Sequence, residues 1–223
     1  MALVDNLFAY WKCDEASGNI IDQVGSNDLT NNGASYGATG KLGNALTFDG
    51  TNDYLNVAAT KTFSAFTVSA WIKDDGNIDN WGGVVNFDTL DLMFRRFSSG
   101  NKIHAQMLAP ADPVVQSTDV VIDGAFHLIV VTWSGTTMEL WVDNVSQGTD
   151  TNTSRSQAIT TIEIGRSEKT NNQSWGGIMG SIGIWDVVKS DADLTTLWNE
   201  GSGIEHPFTV AAAGNSPMMG ANF

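Results

Sequence analysis

The chain is poor in several residue types, and each shortage excludes something. It holds a single cysteine, Cys13, so no intrachain disulfide can form. Cys13 ends an apolar segment and reads as a small buried hydrophobe. Proline is scarce at 4 residues while glycine reaches 23, a balance suited to short strands joined by tight turns. Positive charge is also short: 11 Lys and Arg stand against 25 Asp and Glu, a formal net charge of −14. A field of that sign repels phosphate backbones and argues against a nucleic-acid partner. The same acidity suits either plain solubility or cation binding. No apolar run is long enough to span a bilayer, which argues against membrane insertion. The opening MALVDNLFAYW has no basic region, apolar core or cleavage site of a secretory leader. Synthesis in a cytoplasm, without a signal peptide, is the expectation.

What is present is a β pattern. With 223 residues and a hydrophobic fraction of 42%, the chain is large enough for one well-filled core. The stretch AFHLIVVTWSGTTMELWVDNV, 125–145, reads as two central strands joined by a Ser134–Thr137 turn, closing on Asp143-Asn144, a pair suited to a tight hairpin. Its buried faces are assigned to Phe126, Leu128 and Val130 with Met138, Leu140 and Val142. Its other face is assigned to His127, Trp133, Glu139 and Trp141. FTVSAWIK alternates cleanly, placing Phe66, Val68, Ala70 and Ile72 on one face and Thr67, Ser69, Trp71 and Lys73 on the other. Further strands are expected over 7–13, 45–48, 54–57, 83–87, 90–97, 102–108, 114–121, 158–165 and within 175–187, with a polar loop over 148–157. One helix is expected over 190–200, with Ser190 as N-cap, Asp193 completing a near capping box, and Gly201 as the stop. Many short strands and one late helix make an all-β sandwich.

Five segments in order resemble laminin-G-like, concanavalin A-like domains: YWKCDEASGNIIDQVGSND, ALTFDGTNDYLNV, FTVSAWIK, FHLIVVTWSGTTMELWVDNV, and IEIGRS followed by GSIGIWDVVKSDADLTTLWNEG. The resemblance runs from about Leu7 to Gly203. It implies a jelly-roll sandwich of two curved antiparallel sheets, and a division into a domain over 1–208 and a tail over 209–223. It says little about activity, because the fold hosts lectins, adhesion modules, lyases and glycanases.

Four kinds of site follow from the residues. Glycan hydrolysis needs two carboxylates flanking the scissile bond; Glu139 and Asp143, four apart on one strand, are the nearest pair, without a third acid. A lyase would draw on His104 or His127 with Arg95 and Arg96, though ion pairing accounts for those arginines in so acidic a chain. Calcium needs six to eight oxygens. Asp22, Asn27 and Asp28 form one oxygen-rich cluster and Asp49, Asn52 and Asp53 another, with a plain Asx-turn network as the alternative. For a glycan, Trp71 and Trp141 lie on polar strand faces, Trp141 beside Glu139, while Trp81 and Trp175 sit in polar loops that share Trp-Gly-Gly and are expected to be exposed.

The tail is rich in small residues, and Met218, Met219 and Phe223 suit an apolar groove on a partner or on a second copy of the chain. A lone laminin-G-like domain with such a tail resembles bacteriophage virion proteins. The expected function is a non-enzymatic module displayed on a virion surface as a decoration, fibre or appendage, touching polysaccharide or cell-surface glycans. A free carbohydrate-binding lectin is the alternative.

Overall fold

A computed structural model describes residues 2–76, 82–87, 92–96, 100–107, 113–151, 157–167 and 173–209. The strands are β1 (Leu7–Trp11), β2 (Thr30–Asn32), β3 (Ser35–Thr39), β4 (Asn44–Asp49), β5 (Tyr54–Phe63), β6 (Phe66–Asp74), β7 (Gly83–Phe87), β8 (Leu92–Arg96), β9 (Ile103–Gln106), β10 (Val114–Gln116), β11 (His127–Trp133), β12 (Thr137–Val142), β13 (Val145–Thr151), β14 (Gln157–Ile164) and β15 (Gly176–Trp185). One helix, α1 (Asp191–Trp198), follows them.

The strands form a jelly-roll sandwich of two antiparallel sheets. The eight-stranded sheet runs β13-β12-β11-β6-β15-β4-β3, with β1 also paired to β15. The seven-stranded sheet runs β10-β9-β8-β7-β14-β5-β2. Alternation along each strand sends one set of side chains between the sheets. β6 contributes Phe66, Val68, Ala70 and Ile72 to that layer, as its pattern predicts. Phe63, Phe66 and Phe87 meet there from both sheets, with ring centroids 5.8–6.1 Å apart.

The other face of the eight-stranded sheet is apolar as well. Trp71, Leu128, Val130 and Trp185 are covered by Leu3, Leu194, Leu197 and Ile204. Helix α1 therefore acts as a lid on this face. Its start is fixed by a full capping box: Ser190 Oγ accepts from the Asp193 amide, and an Asp193 carboxylate oxygen accepts from the Ser190 amide. Its end comes earlier than Gly201. Asn199 takes the left-handed conformation (φ 46°) and caps the helix, a role its short amide side chain tolerates.

Two other expectations are corrected. β11 is out of phase with its sequence reading: Ile129, Val131 and Trp133 enter the main core, while Leu128 and Val130 face the helix. The strand is apolar on both faces, so alternation could not fix its phase. Cross-strand pairing does fix it, because Trp133 stands opposite Met138 and Val130 opposite Trp141. The expected loop over 148–157 is partly strand. β13 reaches Thr151 as an edge strand, and its polar side chains conceal it from a hydrophobic reading.

Candidate functional site

The outer face of the seven-stranded sheet has a different chemistry. Leu55, Ile162, Ile164, Val85, Phe87 and Ala105 point into the core. Between them, on the opposite face, a polar row crosses the sheet: Asn56 is opposite Glu163, Glu163 opposite Asn86, Asn86 opposite Met93, and Met93 opposite Gln106. His104 shares the face of Gln106, two residues away on β9.

These groups point away from the core yet are largely buried. Glu163 is 1% exposed and Arg166 9%; Asn86 and His104 are buried too. Arg166 Nη2 donates to Glu163 Oε1 at 2.7 Å. The guanidinium carbon lies over the Tyr54 ring, 3.5 Å from its centroid. At the row's edge, Asn32 Nδ2 donates to Asn56 Oδ1 at 2.9 Å, and Tyr54, Asn56, Asn32 and Gln106 are half-buried. Desolvating an ion pair is costly, and packing alone would favour apolar residues in its place. The polar row and its buried Arg–Glu pair thus stand on a face that the core does not use. The sequence carried one signal for it: a lone glutamate inside the apolar strand AITTIEIG, with arginine three residues on.

The residues singled out from sequence do not gather at one place. Trp71, 2% exposed, is stacked by Trp198 with ring centroids 5.5 Å apart and planes 18° apart. It shares a face with Thr67, Ser69 and Lys73 as expected, but that face is apolar where Trp71 stands and the helix closes over it. Trp175, at 0% exposure, belongs to the main core rather than to an exposed loop. Its amide donates to Gly165 O and its carbonyl accepts from Gly50 N, which draws the ring inward despite polar flanks. Trp141 is half-buried and packs beside the helix cluster. Glu139, its neighbour on the same face, accepts a hydrogen bond from Ser146 Oγ. Trp81, Met218, Met219 and Phe223 lie outside the described residues.

Asp143 does not share a strand face with Glu139. It falls in the β12–β13 turn at φ 50°. One of its oxygens accepts from the Leu128 amide at 2.9 Å, and the other meets His127 Nδ1 at 2.7 Å. His127 Nε2 meets Asp123 Oδ1 at 3.1 Å. The bond to Asp143 raises the His127 pKa, against a lowering by burial, and Asp123 adds to the rise. His127 is thus a clasp between two turns.

The two oxygen-rich clusters face backbone amides. Asp22 accepts from the Tyr10 and Val24 amides with one oxygen and from the Asn27 amide and side chain with the other, all at 3.1 Å. Asp28 accepts from the Asp22 amide at 2.9 Å. Asp53 accepts from the Asp49 amide, and Asp49 from those of Thr51 and Asn52. N–H groups directed at these oxygens make Asx-turn networks. Among the described residues no three acidic, histidine or cysteine side chains converge to hold a metal.

Comparison with known proteins places this architecture. The chain belongs to the concanavalin A-like lectin/glucanases superfamily, whose profile matches residues 49–195. No curated protein sequence matches it. Among solved structures it is similar to domain 4 of an extracellular arabinanase, AbnA, from Geobacillus stearothermophilus, in complex with arabinotriose: TM-score 0.68, 14% identity, 85% of this chain and 97% of that one covered. It is similar to the botulinum neurotoxin serotype D ligand-binding domain in complex with N-acetylneuraminic acid, with TM-score 0.69, 12% identity, and coverage of 88% of this chain and 51% of that chain. A heptameric pentraxin from Limulus polyphemus has TM-score 0.56 and 18% identity, covering 68% of this chain and 79% of that one.

Proposed function

We propose that this chain is a non-catalytic carbohydrate-binding module whose ligand surface is the polar outer face of the seven-stranded sheet. The observation that carries the reading is the row Asn56–Glu163–Asn86–Gln106, polar and largely buried on a face turned from the core. Amides supply both donors and acceptors, the complement of sugar hydroxyls. The sugar complexes of structurally similar domains support saccharide as the ligand class. Glycosidic hydrolysis calls for two carboxylates about 5–10 Å apart. Among the described residues of the row, Glu163 is the one carboxylate, and it is engaged by Arg166.

Display on a larger assembly, as on a virion surface, fits the same geometry. Leu3 and Phe208 pack on the helix-covered face of the other sheet, away from the polar row. A tail over 209–223, docking through Met218, Met219 and Phe223, would turn the ligand surface outward. Deleting 209–223 is expected to abolish incorporation into the particle; full occupancy without the tail contradicts docking.

A glycan array with the wild-type chain and the Asn56→Ala, Gln106→Ala double variant tests the binding reading. Retention by wild type and its loss in a double variant that melts normally support it. Equal retention by both overturns the assignment of the face.

A further inference from the structure

We infer that the sugar meets this face at its open margin, between β2 and β5, where the side chains of Asn32 and Asn56 take two adjacent hydroxyls of one sugar residue. This rests on the carbohydrate-binding reading of the face and names the groups, on protein and ligand, that meet.

β2 ends the seven-stranded sheet and is paired to β5. Asn32 is opposite Tyr54, and Thr30 is opposite Asn56. Opposed residues of an antiparallel pair share a face, as do residues two apart on one strand. All four side chains therefore stand on the face of the polar row. The buried members of the row, Glu163, Asn86 and His104, lie further into the sheet. At the margin Thr30 is exposed, and Asn32, Tyr54 and Asn56 are half-buried. A ligand reaches this end of the row without uncovering a buried group.

Hydrogen bonds fix which way each amide points. Asn32 Nδ2 donates to the Thr30 carbonyl at 3.2 Å. A carbonyl only accepts, so it is the nitrogen of Asn32, not its oxygen, that is held there. The same nitrogen donates to Asn56 Oδ1 at 2.9 Å. The two protons of Asn32 Nδ2 are thus spent, and Asn56 keeps its amide nitrogen for another partner. Among the described residues no group bonds to Asn32 Oδ1 or to Asn56 Nδ2. The linked amides therefore offer one acceptor and one donor on neighbouring side chains, in a fixed order.

A sugar hydroxyl both donates and accepts. A pair on adjacent carbons can accept from Asn56 Nδ2 with one oxygen and donate to Asn32 Oδ1 with the other. The bond between the two amides already holds them, so little order is lost when the sugar binds. The asparagine pair carries no charge, and Arg166, over Tyr54, is paired with Glu163. Recognition at this margin is by hydrogen bonds rather than by charge.

A glycan array read with the full chain, before and after mild periodate oxidation of the printed glycans, tests this. Periodate cleaves the bond between carbons that carry adjacent free hydroxyls. Oxidation is expected to lower retention at least about tenfold, the loss of two neutral hydrogen bonds. Asn56→Asp keeps the acceptor for Asn32 and replaces the unspent donor with a second acceptor. It should lower retention by about tenfold while the variant still melts cooperatively. Asn32→Ala, which removes the acceptor and the hold on Asn56, should do likewise. Gln106→Ala, at the far end of the row, should lower retention less than about threefold. Retention that survives oxidation, or that is unchanged in either folded asparagine variant, overturns the inference. A tenfold loss in Gln106→Ala with both asparagine variants unchanged moves the ligand along the row and leaves carbohydrate binding by this face standing. Absence of any wild-type signal on the untreated array overturns the underlying carbohydrate reading as well.

Discussion

Glu163 and Arg166 meet at 2.7 Å on the face of a sheet that points away from its core, and both are at least nine-tenths buried. Removing one partner strands the other charge. Glu163→Ala is therefore expected to lower unfolding free energy by about 3–5 kcal/mol in urea denaturation. The Glu163→Gln, Arg166→Met double variant should recover much of that loss. A single-variant cost below about 1 kcal/mol would mean that solvent already screens the pair.

His127 gives the fold a pH dependence. Its folded-state pKa is raised, chiefly by the bond to Asp143. Its stabilisation is fully present below the unfolded value of about 6.5 and fades as pH rises through the higher folded value. Asp123 is lowered, first by the Ala125 amide and then by His127, so its contribution is lost as pH falls toward the carboxylate range. The His206 pKa is lowered by burial and acts in the opposite sense to His127. The clean readout is thus a difference. The melting-temperature gap between wild type and His127→Asn should shrink as pH rises from slightly acidic to alkaline. A gap that is constant or widens would contradict the clasp.

Trp198 shields Trp71 from solvent. Trp198→Ala should cost about 2–4 kcal/mol through lost area and stacking, and should shift tryptophan emission to the red. Glycan retention should survive it, because the helix-covered face is not the ligand surface. Loss of retention at intact fold would restore Trp71 to a binding role.

Asp22 already accepts four N–H bonds, so calcium would have to displace amides. Adding calcium to chelator-treated protein is expected to leave the melting temperature unchanged. A rise of several degrees would reveal a site that these networks do not describe. Asp22→Ala, by contrast, should destabilise by about 1–3 kcal/mol, since it leaves buried amides without acceptors.

The sandwich was legible where local chemistry is unambiguous. FTVSAWIK alternates, Ser190 and Asp193 announce a helix start, and Asp143-Asn144 marks a hairpin that forms with both residues at positive φ. The phase of β11 was not legible, because a strand apolar on both faces has no alternation to read. The burial of Trp71 and Trp175 was hidden for a related reason. Polar sequence neighbours do not reveal what long-range packing places over a ring: helix α1 in one case, the main core in the other. The polar row was missed because its members lie on β5, β14, β7 and β9, one or two per strand. Only pairing register assembles them. Glu163 within an apolar strand was the single local hint.

A map of side-chain amide and backbone NMR shifts, recorded as an array-selected glycan is titrated into the full chain, decides which sheet face takes the ligand. The shifts are expected to concentrate at Asn32, Asn56, Asn86 and Gln106, on the outer face of the seven-stranded sheet. Shifts concentrated instead at Glu139, Trp141 and Ser146 would place the ligand on the other sheet and contradict this assignment.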